Sequence, residues 1–323
     1  MKRLRRGLTL GALLLCGACS KPEAGPAGSA ETAAKLTSDA QHVIGASVLT
    51  TTNPFFVALR DAMKQEGAKH NFEVIATSGE YNVANQRNQI NEFIARRVDA
   101  IVLCPCDSQA IGPSIAAASA AGIPVFTADI ACLAKDAKVV CHVATDNLGG
   151  GRKAAETVIE MLGGTGKVAI LDFPEVESVI MRTRGFREVI AQAKEIEVVG
   201  SWPGGGDRGK SFTVAADILQ AHPDLDAFFA INDPSGLGAA AALEKAGKSD
   251  RVRIVAFDAQ PIGRRGVKEG KLYATIVQYP EKIGQKVIDT VARYLDGEEV
   301  APEILIPCTV YRKADADADP TLK

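Results

Sequence analysis

The sequence predicts an α/β protein of two doubly wound, parallel-sheet (Rossmann-like) lobes, and three observations carry that reading. From His42 onward, short apolar runs alternate with longer stretches of helical spacing. The runs are apolar throughout rather than on alternate residues, as in strands of a parallel sheet covered by helices on both faces. There are too many of them for one sheet, and the body beyond the N-terminal segment, about 280 residues, has the size of two modest domains.

In chain order the first half begins with a strand from His42, then a helix over Phe55–His70 with Phe56, Leu59, Met63 and Gly67 on one side. A strand at Phe72–Thr77 and a helix at Val83–Arg96 follow, the helix turning Ile90, Phe93 and Ile94 inward. Next come a strand at Ala100–Cys104, a helix at Ile111–Ala121 stopped by Gly122, and strands at Pro124–Ala128 and His142–Thr145. The second half repeats the rhythm: helix Leu148–Leu162, strand Lys167–Asp172, helix Arg184–Ala193, strand Ile196–Trp202 and helix Gly209–His222. Strand Ala227–Ile231, helix Ser235–Ala246, strand Arg253–Phe257, helix Ile262–Glu269, strand Ala274–Gln278, helix Pro280–Leu295 and a final strand Glu303–Thr309 complete it. Gly149-Gly-Gly and Gly204-Gly-Gly read as turns.

The N-terminus has its own signature. Lys2, Arg3, Arg5 and Arg6 precede an apolar stretch from Leu8 to Ala18 that ends in Gly17-Ala18-Cys19. Basic end, apolar core and small residues at the cut make an export signal, and the stretch is short of the roughly 20 residues a membrane-spanning helix needs. The cut resembles a bacterial lipoprotein processing site. That resemblance implies that residues 1–19 are a signal peptide ending at a lipidated Cys19, with the rest of the chain tethered to a membrane outside the cytoplasm. Residues 20–41, rich in Ala, Gly, Pro, Ser and Glu, read as a disordered tether, and residues 314–323 as a disordered tail.

Charge and cysteine content narrow the partners. The net charge is −2, from 37 basic and 39 acidic residues, with no basic patch beyond the leader, which argues against nucleic acid. Five cysteines lie in the body: Cys104, Cys106, Cys132, Cys141 and Cys308. Export permits disulfides, and Cys132 with Cys141, flanking a polar loop, is the expected pair. Four scattered histidines give no metal site, and no cofactor is expected.

In doubly wound sheets ligands sit beyond the carboxyl ends of the strands. Asn53, Asp107, Asp129, Asn232, Asp233, Asp258 and Gln278 all fall at such ends. Each alone is explained as a cap or turn residue. Together, from both halves, they offer the many donors and acceptors that a polyhydroxylated guest needs. Asn53-Pro54 caps and starts a helix, but the adjacent Phe55 and Phe56 cannot both face the core, so one ring is free to wall a cleft.

Several segments, in this order and spacing, carry a resemblance: Thr52-Asn-Pro-Phe-Phe, Ala100-Ile-Val-Leu-Cys-Pro-Cys-Asp-Ser-Gln-Ala-Ile, Gly122-Ile-Pro-Val, Ala144-Thr-Asp-Asn-Leu-Gly-Gly, Arg182-Thr-Arg-Gly-Phe, Ala221-His-Pro-Asp-Leu-Asp-Ala, Ile231-Asn-Asp, Ala256-Phe-Asp-Ala and Ala274-Thr-Ile-Val-Gln. Over roughly Val43–Val310 the chain resembles the ribose-binding-like sugar-binding proteins of ABC transporters, the type I periplasmic binding proteins. The resemblance implies two lobes joined by a three-crossing hinge: residues 42–145 plus 279–305, and residues 146–278 plus 306–313. It implies capture of a monosaccharide or polyol between the lobes by Asn53, Phe55, Phe56, Asp129, Arg182, Asn232, Asp258 and Gln278, and delivery to a membrane permease by a monomer. Two positions depart from the ribose binders: Ile130 stands where they carry an Arg, and Pro203-Gly-Gly-Gly-Asp-Arg where they carry a Phe. The departures point away from ribose itself, and Trp202 is the nearest ring to replace the lost one.

Other classes have their own requirements. A sugar-sensing co-receptor for a chemoreceptor or histidine kinase has the same binding body. An enzyme needs a nucleophile set, a phosphate loop or a metal cluster, and none is found. A sugar-responsive repressor needs a DNA-reading helix pair where the leader stands.

Overall fold

The structure, a computed structural model, describes residues 41–323. Cys19, the leader and the tether as far as residue 40 lie outside the described residues. The first part of the body runs β1 (His42–Val48), α1 (Pro54–Lys69), β2 (Phe72–Ser78), α2 (Val83–Arg96), β3 (Ala100–Leu103), α3 (Gly112–Ala120), β4 (Val125–Ala128) and β5 (His142–Thr145). The second runs α4 (Asn147–Leu162), β6 (Gly166–Asp172), α5 (Glu177–Ile190), β7 (Ile196–Pro203), α6 (Arg208–Ala221), β8 (Ala227–Ala230), α7 (Asp233–Ala246), β9 (Arg253–Asp258), α8 (Pro261–Lys268) and β10 (Ala274–Val277). Then come α9 (Pro280–Leu295), β11 (Glu303–Ile306), β12 (Thr309–Arg312) and α10 (Lys313–Ala318).

The strands form two six-stranded sheets, ordered β11-β5-β4-β3-β1-β2 and β12-β10-β9-β8-β6-β7. Helix α9 packs on α1, β4 and β5 and so belongs with the first sheet, whereas α4 packs on α5, β9, β10 and β12 and belongs with the second. The chain therefore passes between lobes at Thr145–Asn147, at Gln278–Pro280 and at Ile306–Thr309. Strands β1, β3, β4 and β5 of lobe 1, and β6, β8, β9 and β10 of lobe 2, are buried almost end to end, which is why they read as unbroken apolar runs.

Lobe 2 departs from pure parallel pairing, since β12 runs antiparallel to β10. The run Glu303–Thr309, expected as one strand, is two strands in different sheets, divided at Pro307-Cys308, where proline has no N–H for a ladder. The expected disordered tail is also different. Residues 313–318 form α10, Ala316 is fully buried, and Tyr311 donates its hydroxyl to Asp319 at 2.9 Å. Alternating Asp is compatible with this because one small residue per turn suffices to dock the helix.

The Cys132–Cys141 disulfide is not formed; both are free thiols, as are Cys104, Cys106 and Cys308. Cys132 packs beside the core around Ile111 and Ile115, whereas Cys141 is buried with Val143 and Phe126 in another cluster. Closeness along the chain does not bring the two sulfurs together.

Gly149, Gly150 and Gly151 are not a turn but the start of α4, capped by Asp146, which accepts from Gly149 N at 2.8 Å. Their bareness lets α5 approach. A Cβ on Gly151 would meet Arg182 O at 2.0 Å, and one on Gly185 would meet Leu148 O at 2.1 Å. Phe186 of α5 stacks flat on Phe229 of β8 with centroids 4.4 Å apart. These contacts fix the helix that carries Arg182.

Candidate functional site

The carboxyl ends of strands from both sheets meet at a narrow cavity lined by all eight residues named from the sequence: Asn53, Phe55, Phe56, Asp129, Arg182, Asn232, Asp258 and Gln278. On the lobe 1 side, Asn53 caps α1, its Oδ1 accepting from Phe55 N at 2.9 Å, and Pro54 fills the first helical turn. Phe55 and Phe56 pack edge to face, centroids 5.1 Å apart at 81°. Asp129 follows β4 in a left-handed backbone, φ +64°. An aspartate is tolerated there only at a cost, and such positions concentrate at ligand sites.

On the lobe 2 side Arg182 is the centre. Its Nε donates to Asn147 Oδ1 and its Nη1 to Ile231 O, both at 2.8 Å, and its guanidinium lies 4.1 Å above the Phe257 ring. Asp258 Oδ1 is 3.8 Å from Arg182 Nη1 and accepts from Gln278 Nε2 at 2.6 Å. Like Asp129, Asp258 has a positive φ, here +106°. Asn232 lines the cavity, but its amide is engaged: Oδ1 accepts from Ser235 N at 2.8 Å, capping α7, and Nδ2 donates to Gly206 O at 3.0 Å. It retains one lone pair and one hydrogen for a guest.

Among the described residues, five buried side-chain atoms have no hydrogen-bond partner: Asp129 Oδ1, Thr145 Oγ1, Ser235 Oγ, Asp258 Oδ2 and Gln278 Oε1. Three of the five belong to this cavity, one from lobe 1 and two from lobe 2. A buried orphan costs on the order of 1–3 kcal/mol, so three aimed at one space are acceptors waiting for donors. Burial pushes the Asp129 carboxyl up to about 7, against the opposing pull of Arg182. Burial likewise raises Asp258 to about 6, with Arg182, Gln278 and Asn53 pulling it down. One cation thus serves two buried carboxylates.

The other strand-end residues play structural parts. Asp107 accepts from Gln109 N and Ala110 N in its own turn. Asp233 accepts from Thr275 Oγ1 and Gln260 N, fully buried beneath the cavity floor. Trp202 packs against His222 and Gly200 and does not line the cavity.

Two rings were missed. Phe173 and Tyr81 line the cavity and face each other across the cleft, centroids 6.2 Å apart. Phe173 also lies against Gly206, where a Cβ would come 3.6 Å from its ring. The signal for Phe173 was available, since it directly follows the strand ending at Asp172. Tyr81 sits in a loop at φ +56° and has no such pattern. Leu49, Ile130, Val176, Val179 and Ile231 complete the apolar lining.

A wider groove on lobe 2, between Leu243, Val267 and Tyr273, has no orphaned polar atom. Away from the cleft, Glu66, His70 and Asp289 bring potential metal-ligating atoms within 4.8 Å of one another. Lys69 pairs with Glu66 at 2.7 Å and His70 with Asp289 at 2.9 Å, so the cluster is satisfied without an ion.

The periplasmic binding protein domain family matches residues 44–299. The ribose import binding protein RbsB of Escherichia coli (strain K12) is 37% identical over 262 residues, 81% of this chain and 87% of that protein. An ABC transporter solute-binding protein from Bacillus halodurans C-125 with bound myo-inositol has a TM-score of 0.80 and 30% identity, covering 86% of this chain and 96% of that one. Another, from Actinobacillus succinogenes 130z with bound D-allose, has a TM-score of 0.80 and 28% identity, covering 86% of this chain and 100% of that one. Matched over most of its length in sequence and in fold, the chain belongs to the periplasmic binding protein family, as a ribose-binding-like type I member of the ABC transporter group, and is a binding protein rather than an enzyme.

Proposed function

We propose that this protein captures a monosaccharide or polyol between its lobes outside the cytoplasm and hands it, as a monomer, to an ABC transporter permease, held to the membrane by a lipid on Cys19. The observation that carries the reading is the convergence of orphaned Asp129, Asp258 and Gln278 oxygens on one cavity. Hydroxyl groups are the donors these acceptors lack, and a ring with hydroxyls on its edge also presents C–H faces to Phe55, Phe56, Phe173 and Tyr81. Relatives named for ribose and solved with myo-inositol or D-allose support the ligand class. Because both walls supply contacts, the guest binds the closed form better than the open one, and this difference shifts the lobes shut. Among the described residues no helix is long and apolar enough to cross a membrane.

A thermal-shift screen against sugars and polyols tests the capture, because a ligand of the folded form raises its melting temperature. At least one monosaccharide or polyol should do so, and a flat response across the whole panel would contradict the reading. For the anchor, Cys19→Ser should move the protein from the membrane fraction to the soluble extract.

A further inference from the structure

Helix α5, which carries Arg182, starts without a cap of its own. Val176 occupies its N-cap position and has no side-chain acceptor to offer. The first amide of the helix, that of Glu177, donates instead to Ser108 Oγ at 2.9 Å. Ser108 lies in the loop between β3 and α3, on the opposite lobe. Its own N–H donates to Glu175 O at 3.0 Å, so two hydrogen bonds cross the cleft at one residue, which is 1% exposed. Ser108 O accepts from Leu133 N at 2.8 Å, which ties the same residue to the loop that leaves Asp129.

We infer that Ser108 is a cross-cleft latch, a positioning residue that caps α5 from the other lobe only when the lobes are closed and thereby couples closure to the placement of Arg182. With the lobes apart, the Glu177 amide has no side-chain partner within its own lobe, and the first turn of α5 is left to water. On closure the hydroxyl arrives, the turn is fixed, and the guanidinium further along the helix is steadied beside Asp258. The latch depends on the capture reading only for the ligand that drives closure; its geometry does not.

Hydrogen exchange on the full exported chain tests it, comparing the natural protein with Ser108→Ala and Ser108→Thr, alone and with D-ribose, D-allose or myo-inositol at saturation. In the liganded state the amides of residues 174–181 should exchange about fivefold faster in Ser108→Ala than in the natural protein, the effect of losing one cap, while those of β8 stay unchanged. Ser108→Thr, which keeps the hydroxyl, should return the rates toward the natural ones. Any of the three compounds that binds should show a Kd raised about fivefold in Ser108→Ala, through faster release. Unchanged exchange at 174–181, equal loosening of β8, or Ser108→Thr behaving as Ser108→Ala would each overturn the latch. If none of the three compounds binds the natural protein, the ligand class named above is wrong, and the latch is read on the transiently closed unliganded protein, where a smaller rise in exchange at 174–181 in Ser108→Ala supports it and no rise overturns it.

Discussion

Lobe 1 meets the cavity with Phe55, Phe56, Tyr81, Leu49 and Ile130 around a single carboxylate, Asp129. Lobe 2 meets it with Phe173, Val176, Val179 and Ile231 and with four polar residues, Arg182, Asn232, Asp258 and Gln278, already bonded to Asn147, Ile231, Gly206 and one another. Lobe 2 therefore has its polar groups bonded within itself before any guest arrives, and closure adds the Ser108 cap that steadies the start of α5. The lobe 1 wall is a mostly apolar lid, with Asn53 engaged in capping α1 and the wall's one carboxylate carrying an orphaned oxygen. Under the proposed capture the difference sets an order of events: a hydroxylated guest docks first on the lobe 2 polar groups, and closure brings the lobe 1 rings and Asp129 onto it.

Arg182→Ala should break this arrangement most severely. It leaves Asp129 and Asp258 without their shared cation, which costs about 3–5 kcal/mol of folding stability at pH 8 and on the order of 100-fold or more in affinity. Chemical denaturation and calorimetry read the two effects; an undiminished affinity would show that the polar wall is not where the guest docks. Asp129→Asn should be gentler, weakening binding by about 1.5–3 kcal/mol. Because lobe 1 closes second, the loss should lie in the dissociation rate, as stopped-flow kinetics would show. A loss confined to the association rate would reverse the proposed order. Phe173→Ala removes one ring from the cleft mouth and should cost about 1 kcal/mol of affinity. Smallest of all, a reductant should leave the melting temperature unmoved, since all five described cysteines are free; a fall would restore a disulfide.

How legible the molecule was in its sequence differs in the same way between regions. Buried parallel strands announce themselves as apolar runs, so the alternation from β1 to β10 was read nearly residue by residue. Helix α5 was the exception: it was expected from Arg184 but begins at Glu177. Its start carries no capping residue because the cap is Ser108, far away in sequence, and no local pattern encodes that. Asn53, Asp129, Asn232, Asp258 and Gln278 were readable because strand ends in such sheets face ligands, whereas Arg182, inside α5, came only from the family resemblance. Tyr81 was not readable, because it sits in a short left-handed loop, its N–H held by Leu49 O, with no local pattern to mark it. The disulfide failed for a related reason, as a spacing along the chain says nothing about which core each thiol enters.

The two carboxylates allow the sharpest test, because guest and proton compete for the same oxygens. With the lobes closed and the cavity empty, burial holds Asp129 at about 7 and Asp258 at about 6, against an ordinary value of 3.8. Between pH 4 and 7 the folded protein thus holds more protons than the unfolded chain, so its stability falls as pH rises through this window. Affinity for hydroxyl donors should run the other way, weakening as pH falls through 7 and then 6. The decisive measurement is a calorimetric titration, at pH 8 and at pH 5, of a sugar or polyol that raises the melting temperature. One site per chain, with clearly weaker affinity at pH 5, is the predicted result; equal affinity at both values would contradict the claim that these buried carboxylates receive the guest.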